Sequence, residues 1–438
     1  MGRELDVLVY GAAERARGIV EQLDRLAFRA RVIREDTPPA RKSRFYAAEI
    51  IFAHDADTVT QAHAALESFA PGHRPVIVVG PSEIAGLAGV DAWIPEPALP
   101  AQIAARARAL FRLSTMELVA QRRAHVTALY GERHTAAERT ESKSSVLYVG
   151  DASPRFMSLQ HAMDETGAEV VAAFSSYSAF DYLHERSFDA VVLNASGKRD
   201  TAFTISSAMR RNARLYHTPV LLLSDDDDLE AAEEAFARGV SDILPPDTTD
   251  DEMRDRVLAL AAERRRRRQA KAALEACRDP RTLDIETGLF HPGFLTSHLQ
   301  DLLVGFERDE LGFSLLVLRT EVPEEAHQPD LASTEKARRQ FAAMLRHLLR
   351  SEDAAARIDE DHFVAVLPLT EAEGVDCVAA RVSAIAECTA FESEDPLQPF
   401  RLAVRATGIT PRPGETAEAM LERGLRALQL RPVLRAQA

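Results

Sequence analysis

The chain has 438 residues, which at about 150 residues per domain suggests three domains. Its 46% hydrophobic and 28% charged residues exclude a mainly disordered or collagen-like chain, and a formal net charge of −15 argues against a nucleic-acid partner or an anionic membrane surface. Cys277, Cys377 and Cys388 cannot form a disulfide framework and lack metal-ligand spacing, which fits a reducing cytoplasm. No apolar run reaches the ~18 residues of a membrane helix, and Met1-Gly2-Arg3-Glu4 does not open a signal peptide, so no membrane insertion is expected.

The first 250 or so residues read as a diverged internal repeat of short apolar strands alternating with helical stretches. Leu5–Tyr10 and Val146–Val149 are the first strands of the two copies. Glu49–Ala53 and Ala190–Leu193 follow, then Pro75–Val79 and Pro219–Leu223, then Trp93-Ile94 and Ile243-Leu244. This alternation predicts βαβ units with a parallel sheet covered on both faces. Val7 to Asp55 and Val146 to Asn194 both span 48 residues, which places Asp55 opposite Asn194. Each copy ends in a long helix, Ala101–Leu129 and Asp251–Cys277, and the polar stretch Thr135–Ser145 reads as a linker. The run Arg264–Arg268, flanked by Glu263 and Glu275, reads as a solvated interdomain helix face.

A third unit begins near Asp284. It has a strand at Phe313–Leu318, an amphipathic helix at Thr334–Leu349, a polar turn at Arg357–Asp361 and a strand at Phe363–Leu367. A helix at Ala372–Cys388, a strand at Arg401–Gly408 and a helix at Ala417–Leu430 complete a mixed α/β domain. The expected domains are therefore 1–134, 135–278 and 279–438.

The two front units resemble receiver domains of two-component response regulators. That family pairs acids after its first strand with a phosphoacceptor Asp, a Ser/Thr and a Lys, which together hold Mg²⁺ and the phosphoryl group. In the first copy the resemblance places Gly11 and Ala12 at the acid pair, Gly80 at the hydroxyl position, Glu96 at the lysine position and Asp55 as candidate phosphoacceptor. In the second, Asp151 and Ser224 remain, but Asn194 replaces the acceptor and Pro245 stands near the lysine position. An amide cannot accept phosphate, so no labelling of the second copy and at most weak labelling at Asp55 are expected. Tandem receivers without phosphorylation suggest a homodimer formed through the front domains.

The third unit resembles a GGDEF diguanylate cyclase domain. Asp284-Ile-Glu-Thr-Gly288-Leu289 matches the family's opening stretch, and Arg357-Ile358 and Phe363 to Pro368 frame the place of its signature. Receiver–receiver–GGDEF is a known domain order. The two signature glycines are here Asp359 and Glu360, the metal-binding Asp is Leu318, the guanine-binding Asn and Asp fall on Ala326 and Glu335, and the late phosphate-binding Lys falls on Pro432. Asp361 alone remains as a possible metal ligand. The resemblance thus implies no enzyme activity, no catalytic residue and no bound metal or cofactor.

Many members of the family also carry an inhibitory R-x-x-D site for cyclic di-GMP. Arg350-Ser351-Glu352-Asp353 lies at the family's offset, nine residues before the first signature position, with Arg381 at the position of the second family Arg. Arginine can grip phosphate or the guanine edge bidentately, and Asp353 could accept from guanine N–H groups. Diverged receivers, a lost signature and a kept inhibitory site together resemble the cyclic di-GMP effectors of alphaproteobacterial cell-cycle control. That resemblance implies a polar adaptor in a proteolysis pathway, helping deliver the regulator CtrA to the protease ClpXP. The competing readings are a weak or partner-activated cyclase, a phosphotransfer response regulator, and a polar scaffold without ligand.

Overall fold

The computed structural model describes residues 5–11, 13–33, 45–69, 74–131, 143–225, 229–323, 328–395 and 397–429. It divides into two compact units, one of Met1–Ser114 with Arg139–Gln269, the other of Thr115–Glu138 with Ala270–Ala438. The division departs from the expected spans, because Thr115 onward in the first long helix groups with the third sheet.

The first unit holds two parallel sheets. In chain order the first copy runs β1 (Leu5–Tyr10), α1 (Ala13–Arg25), β2 (Phe28–Ile33), β3 (Glu49–Phe52), α2 (Ala56–Phe69), β4 (Val76–Val79), β5 (Ala92–Ile94) and α3 (Pro100–Ala128). The second runs β6 (Ser145–Val149), α4 (Pro154–Asp164), β7 (Glu169–Ala173), α5 (Ser176–Glu185), β8 (Ala190–Asn194), α6 (Arg199–Arg211), β9 (Val220–Leu223), α7 (Leu229–Ala237), β10 (Asp242–Leu244) and α8 (Asp250–Ala276). The sheet orders are β2-β1-β3-β4-β5 and β10-β9-β8-β6-β7, one topology read from opposite edges. This is the doubly wound, flavodoxin-like order of receiver domains. Apolar residues fill the central strands because helices cover both faces: Val7 and Val9 join one core cluster and Leu8 and Tyr10 the other. The strands β2 and β7, missing from the sequence reading, are edge strands with partly exposed residues, and arginines interrupt the apolar pattern of β2.

The arginine run in α8 is not the solvated face expected. All five residues are half-buried. Arg266 pairs with Asp91 of the first copy at 3.3 Å, Arg268 with Asp189 of the second at 2.5 Å, and Arg267 meets His217 at 3.1 Å. Glu263 pairs with Arg106 of α3 at 2.7 Å, and Gln102 of α3 donates to Asp242 of β10 at 2.7 Å. Partly screened from water, the Arg266–Asp91, Glu263–Arg106 and Gln102–Asp242 pairs tie the two copies together within this unit.

The second unit is built on an antiparallel sheet. Its elements are α9 (Pro292–Glu307), β11 (Phe313–Glu321), α10 (Leu331–Leu348), β12 (Ala354–Arg357), β13 (His362–Pro368), α11 (Ala372–Cys388), β14 (Ala403–Ile409) and α12 (Ala417–Gln429). The order is β12-β13-β11-β14. Alternation along β11 divides its side chains between two layers. Leu316 and Leu318 enter the core with Ala337 and Phe341 of α10 and Val375 of α11, whereas Val317 and Leu315 lie under Gly424 of α12. The strand β12 is absent from the sequence reading because Ala354-Ala355-Ala356 carries no strand signal. Two receiver-like domains followed by a GGDEF-like mixed α/β domain is the fold class. Among the described residues no helix is long and apolar enough to cross a membrane.

Candidate functional site

The strand-end positions of the two receiver-like domains can be matched by geometry. Gly11 and Gly150 both follow their first strand at φ near +147°, and a Cβ there would strike the Cβ of Phe52 at 2.7 Å and of Asn194 at 2.5 Å respectively. Phe52 pairs with Val79 as Asn194 pairs with Leu223. The acceptor position of the first domain is therefore Phe52, which corrects the assignment of Asp55. The equal spacing of 48 residues misled because the first copy is three residues shorter between these strands. Asp55 instead caps α2, accepting from the backbone N–H and the hydroxyl of Thr58, both at 2.7 Å. Those bonds hold its carboxyl below the usual carboxylate range. In the second domain Asp151 pairs with Lys198 at 2.8 Å, and Asn194 donates to the Tyr148 hydroxyl at 3.1 Å. Ala12 lies outside the described residues. With Gly11 and Phe52 in one domain and a single Asp beside Asn194 in the other, neither residue set fits the divalent ion of receiver chemistry.

The hairpin between β12 and β13 occupies the signature position. Arg357 grips Glu335 of α10 through both guanidinium nitrogens, at 2.5 and 2.7 Å. It also donates to the backbone carbonyls of Asp359, at 2.9 Å, and Glu360. These contacts hold the Glu335 carboxyl below its ordinary range, the Arg357 hydrogen bonds being the main cause. Asp359 is exposed, but the partial desolvation of its carboxyl alone would raise its pKa. Hydrogen bonds from the His362 backbone at 2.9 Å, the His362 ring at 2.9 Å and the Asp361 backbone at 3.1 Å outweigh this and lower it.

Asp359, Asp361 and His362 lie close enough to share a cation. Asp361, however, is already paired with Arg319 at 2.8 Å and with His362 at 2.8 Å. Leu318, which the resemblance places where the family has a metal-binding Asp, is fully buried in the core and offers no oxygen. The residues present therefore do not fit the divalent ions of nucleotidyl transfer. Ala326 and Pro432 lie outside the described residues.

The R-x-x-D sequence forms the turn from α10 into β12, four residues before the hairpin. It is closed from both ends: the Arg350 N–H donates to Asp353 Oδ2 at 2.8 Å, and the Asp353 N–H donates to the Arg350 carbonyl at 3.2 Å. Arg381 reaches across from α11 and donates to the Leu348 carbonyl at 2.9 Å, one of the carbonyls that a helix C-terminus leaves without a helical partner. Arg350 and Arg381 are both exposed, and the Arg350 guanidinium has no hydrogen-bonding partner among the described residues.

Asp353 points inward. It is 9% exposed, and its Oδ1 has no hydrogen-bonding partner. Burial, then the neighbouring Glu352 charge, pushes its pKa up to about 7 against the opposing pull of Arg350 and Arg123. The expected role as an open guanine acceptor therefore requires that this side chain turn outward.

Sequence reasoning missed Arg123, in the part of α3 that belongs to this unit. It is 1% exposed and donates to the carbonyls of Ser351, Glu352 and Asp353 at 3.2, 2.6 and 3.2 Å. Nothing in the pattern Gln121-Arg122-Arg123-Ala124 distinguishes a buried arginine from a surface one.

No protein-family model matches the chain. Response regulator PleD of Caulobacter vibrioides is 24% identical over 242 residues, covering 54% of this chain and 52% of PleD. The chain thus spans about half the length of the curated relatives it matches. Among solved structures, the GGDEF domain of DgcB from Caulobacter crescentus in complex with c-di-GMP is 16% identical with a TM-score of 0.31, covering 34% of this chain and 87% of that one. A putative response regulator from Chloroflexus aurantiacus is 21% identical with a TM-score of 0.25, covering 28% and 99%.

Proposed function

We propose that the chain is a non-catalytic effector that binds cyclic di-GMP at Arg350, Asp353 and Arg381. The observation that carries this reading is the convergence of two exposed guanidinium groups on one turn. The helix C-terminus beneath them disfavours an anion, so Arg350 and Arg381 supply the positive charge for the phosphodiester, and Arg350 is free to take the guanine edge. The filled Leu318 position and the occupied hairpin support the non-enzymatic part of the proposal. The likeness to the effector PopA extends it to a cytoplasmic, pole-directed homodimer that acts as an adaptor delivering CtrA to ClpXP. A second reading, a residual nucleotide enzyme, has the Asp359, Asp361 and His362 cluster in its favour.

Calorimetric titration with cyclic di-GMP tests the proposal. Binding is expected in the wild type, and Arg350→Ala should weaken it about tenfold to a hundredfold, the loss of one bidentate arginine contact costing ~1–3 kcal/mol. Arg381→Ala should act in the same direction. Unchanged affinity in Arg350→Ala would overturn the site, and turnover of GTP in the presence of Mg²⁺ would favour the second reading.

A further inference from the structure

Arg123 is the largest fully buried side chain among the described residues, and it contacts no carboxylate directly. A guanidinium removed from water needs several hydrogen bonds to survive there. Arg123 finds them on the backbone of the R-x-x-D turn, at the Ser351, Glu352 and Asp353 carbonyls. Its planar group also lies 5.4 Å from the Phe290 ring, whose backbone N–H donates to Ala355 of β12 at 2.9 Å. The turn is thereby fixed on two sides. Asp353 Oδ2 closes it from within through the Arg350 N–H, and Arg123 holds its carbonyls from below.

We propose that Arg123 is a positioning residue for the ligand site, fixing the backbone of the R-x-x-D turn so that Arg350 projects outward beside Arg381. This rests on the cyclic di-GMP reading above. A rigid fork matched to three successive carbonyls is something arginine supplies and lysine does not. Without it, residues 350–353 keep only the Arg350–Asp353 closure, and the ligand must order the turn as it binds. Arg123 also carries the positive charge that faces Asp353 from α3, while Glu352 and Arg350 face it from its own turn. Removing Arg123 leaves Glu352 less opposed and makes Asp353 harder to ionise.

The test uses the full chain with Arg123→Lys and Arg123→Met, and two measurements. The first is hydrogen exchange at residues 350–353 without ligand, which reports local opening of the turn. Exchange should rise at least tenfold in both variants. The second is cyclic di-GMP affinity against pH. Both variants should bind at least tenfold more weakly at pH 8, and the midpoint of the pH dependence should move upward in Arg123→Met but stay near the wild-type value in Arg123→Lys, which keeps the charge. A role in core packing alone would not separate these two variants in midpoint.

Unchanged exchange at residues 350–353 in both variants overturns the proposal, as does wild-type affinity in Arg123→Lys. If Arg123→Met fails to fold, the lysine variant carries both measurements. If the wild type does not bind cyclic di-GMP at all, the ligand reading fails, while raised exchange in the variants still upholds Arg123 as the residue that positions the turn.

Discussion

At the two ends of the four-residue strand β12, arginine and aspartate are arranged to opposite effect. At the C-terminal end, Arg357 is consumed by Glu335 and by the hairpin carbonyls, and Asp361 by Arg319 and His362. Both of these side chains thus have internal partners. At the N-terminal end, Arg350 keeps its guanidinium in solvent, and Asp353 holds one carboxylate oxygen without a hydrogen bond. The difference sets a hairpin whose arginine and aspartate are taken up internally against a turn, a few residues away, whose arginine stays open to solvent. At the hairpin the protein's own charges and apolar side chains fill the space, whereas at the R-x-x-D turn Arg350 and Arg381 are exposed. Three predictions probe this contrast.

The strongest concerns Leu318. Leu318→Asp would recreate the carboxylate that the hairpin end lacks, but the side chain sits between Leu316, Phe341 and Phe363 in the core. An unpaired carboxylate buried there should destabilise the domain by about 3–5 kcal/mol, read as a lower urea midpoint at pH 7.5. Destabilisation below about 1 kcal/mol would mean that the position opens to water and that the contrast between the two ends is overstated.

The second concerns Asp353 and pH. Its folded-state pKa of about 7 lies above the ordinary aspartate value of 3.8, so the folded protein holds this proton more tightly than the unfolded chain does. The resulting stability is fully present below about pH 4 and is lost as pH rises through about 7. Asp353→Asn removes this dependence. Between pH 5 and 8 the fall in stability should shrink by roughly 3 kcal/mol relative to wild type, since about two pH units separate pH 5 from the folded pKa and one unit corresponds to ~1.4 kcal/mol. Paired chemical denaturation at the two pH values reads this directly. Equal falls in both proteins would show that the Asp353 carboxylate is solvated and already faces the ligand.

Much of the fold was legible because its central strands are continuous apolar runs such as Val76–Val79 and Val220–Leu223, a pattern that a sheet covered on both faces demands. Where that physical demand weakens, so did the reading. The edge strands β2 and β7 are partly exposed and so carry weaker apolar patterns than the central strands, and the alanines of β12 have no preference that marks a strand. The arginine run of α8 looked solvated because sequence does not show that Asp91, Asp189 and His217 come from distant strands and loops to meet it. Asp55 was misplaced by counting across a gap of three residues that only strand pairing locates. At the candidate site, the frame around the hairpin led to Leu318 and Glu335 by position. Arg123 was invisible because its partners are backbone carbonyls 228 to 230 residues away, which no side-chain pattern records.

The smallest expected effect comes from restoring the two signature glycines. In Asp359→Gly with Glu360→Gly, the hairpin loses the Asp359 carboxylate, which accepts from the Asp361 and His362 backbones and the His362 ring. Replacing those bonds by water and adding glycine freedom to the unfolded chain should cost about 1–2 kcal/mol. The Arg357 contacts with the 359 and 360 carbonyls are backbone contacts and survive the change. The space opened there therefore still faces an arginine locked onto Glu335, an aspartate locked onto Arg319, and the apolar side chain of Leu318. The double variant should make no cyclic di-GMP from GTP with Mg²⁺ or Mn²⁺ above a heat-killed control, measured by mass spectrometry of the product, and its affinity for cyclic di-GMP should stay within about twofold of wild type, because the R-x-x-D turn at the other end of β12 is untouched. Product formation would show that the two glycines alone had been limiting and that the internal pairs around Arg357 and Asp361 yield to substrate. A large loss of cyclic di-GMP affinity would show instead that the two ends of β12 are not independent.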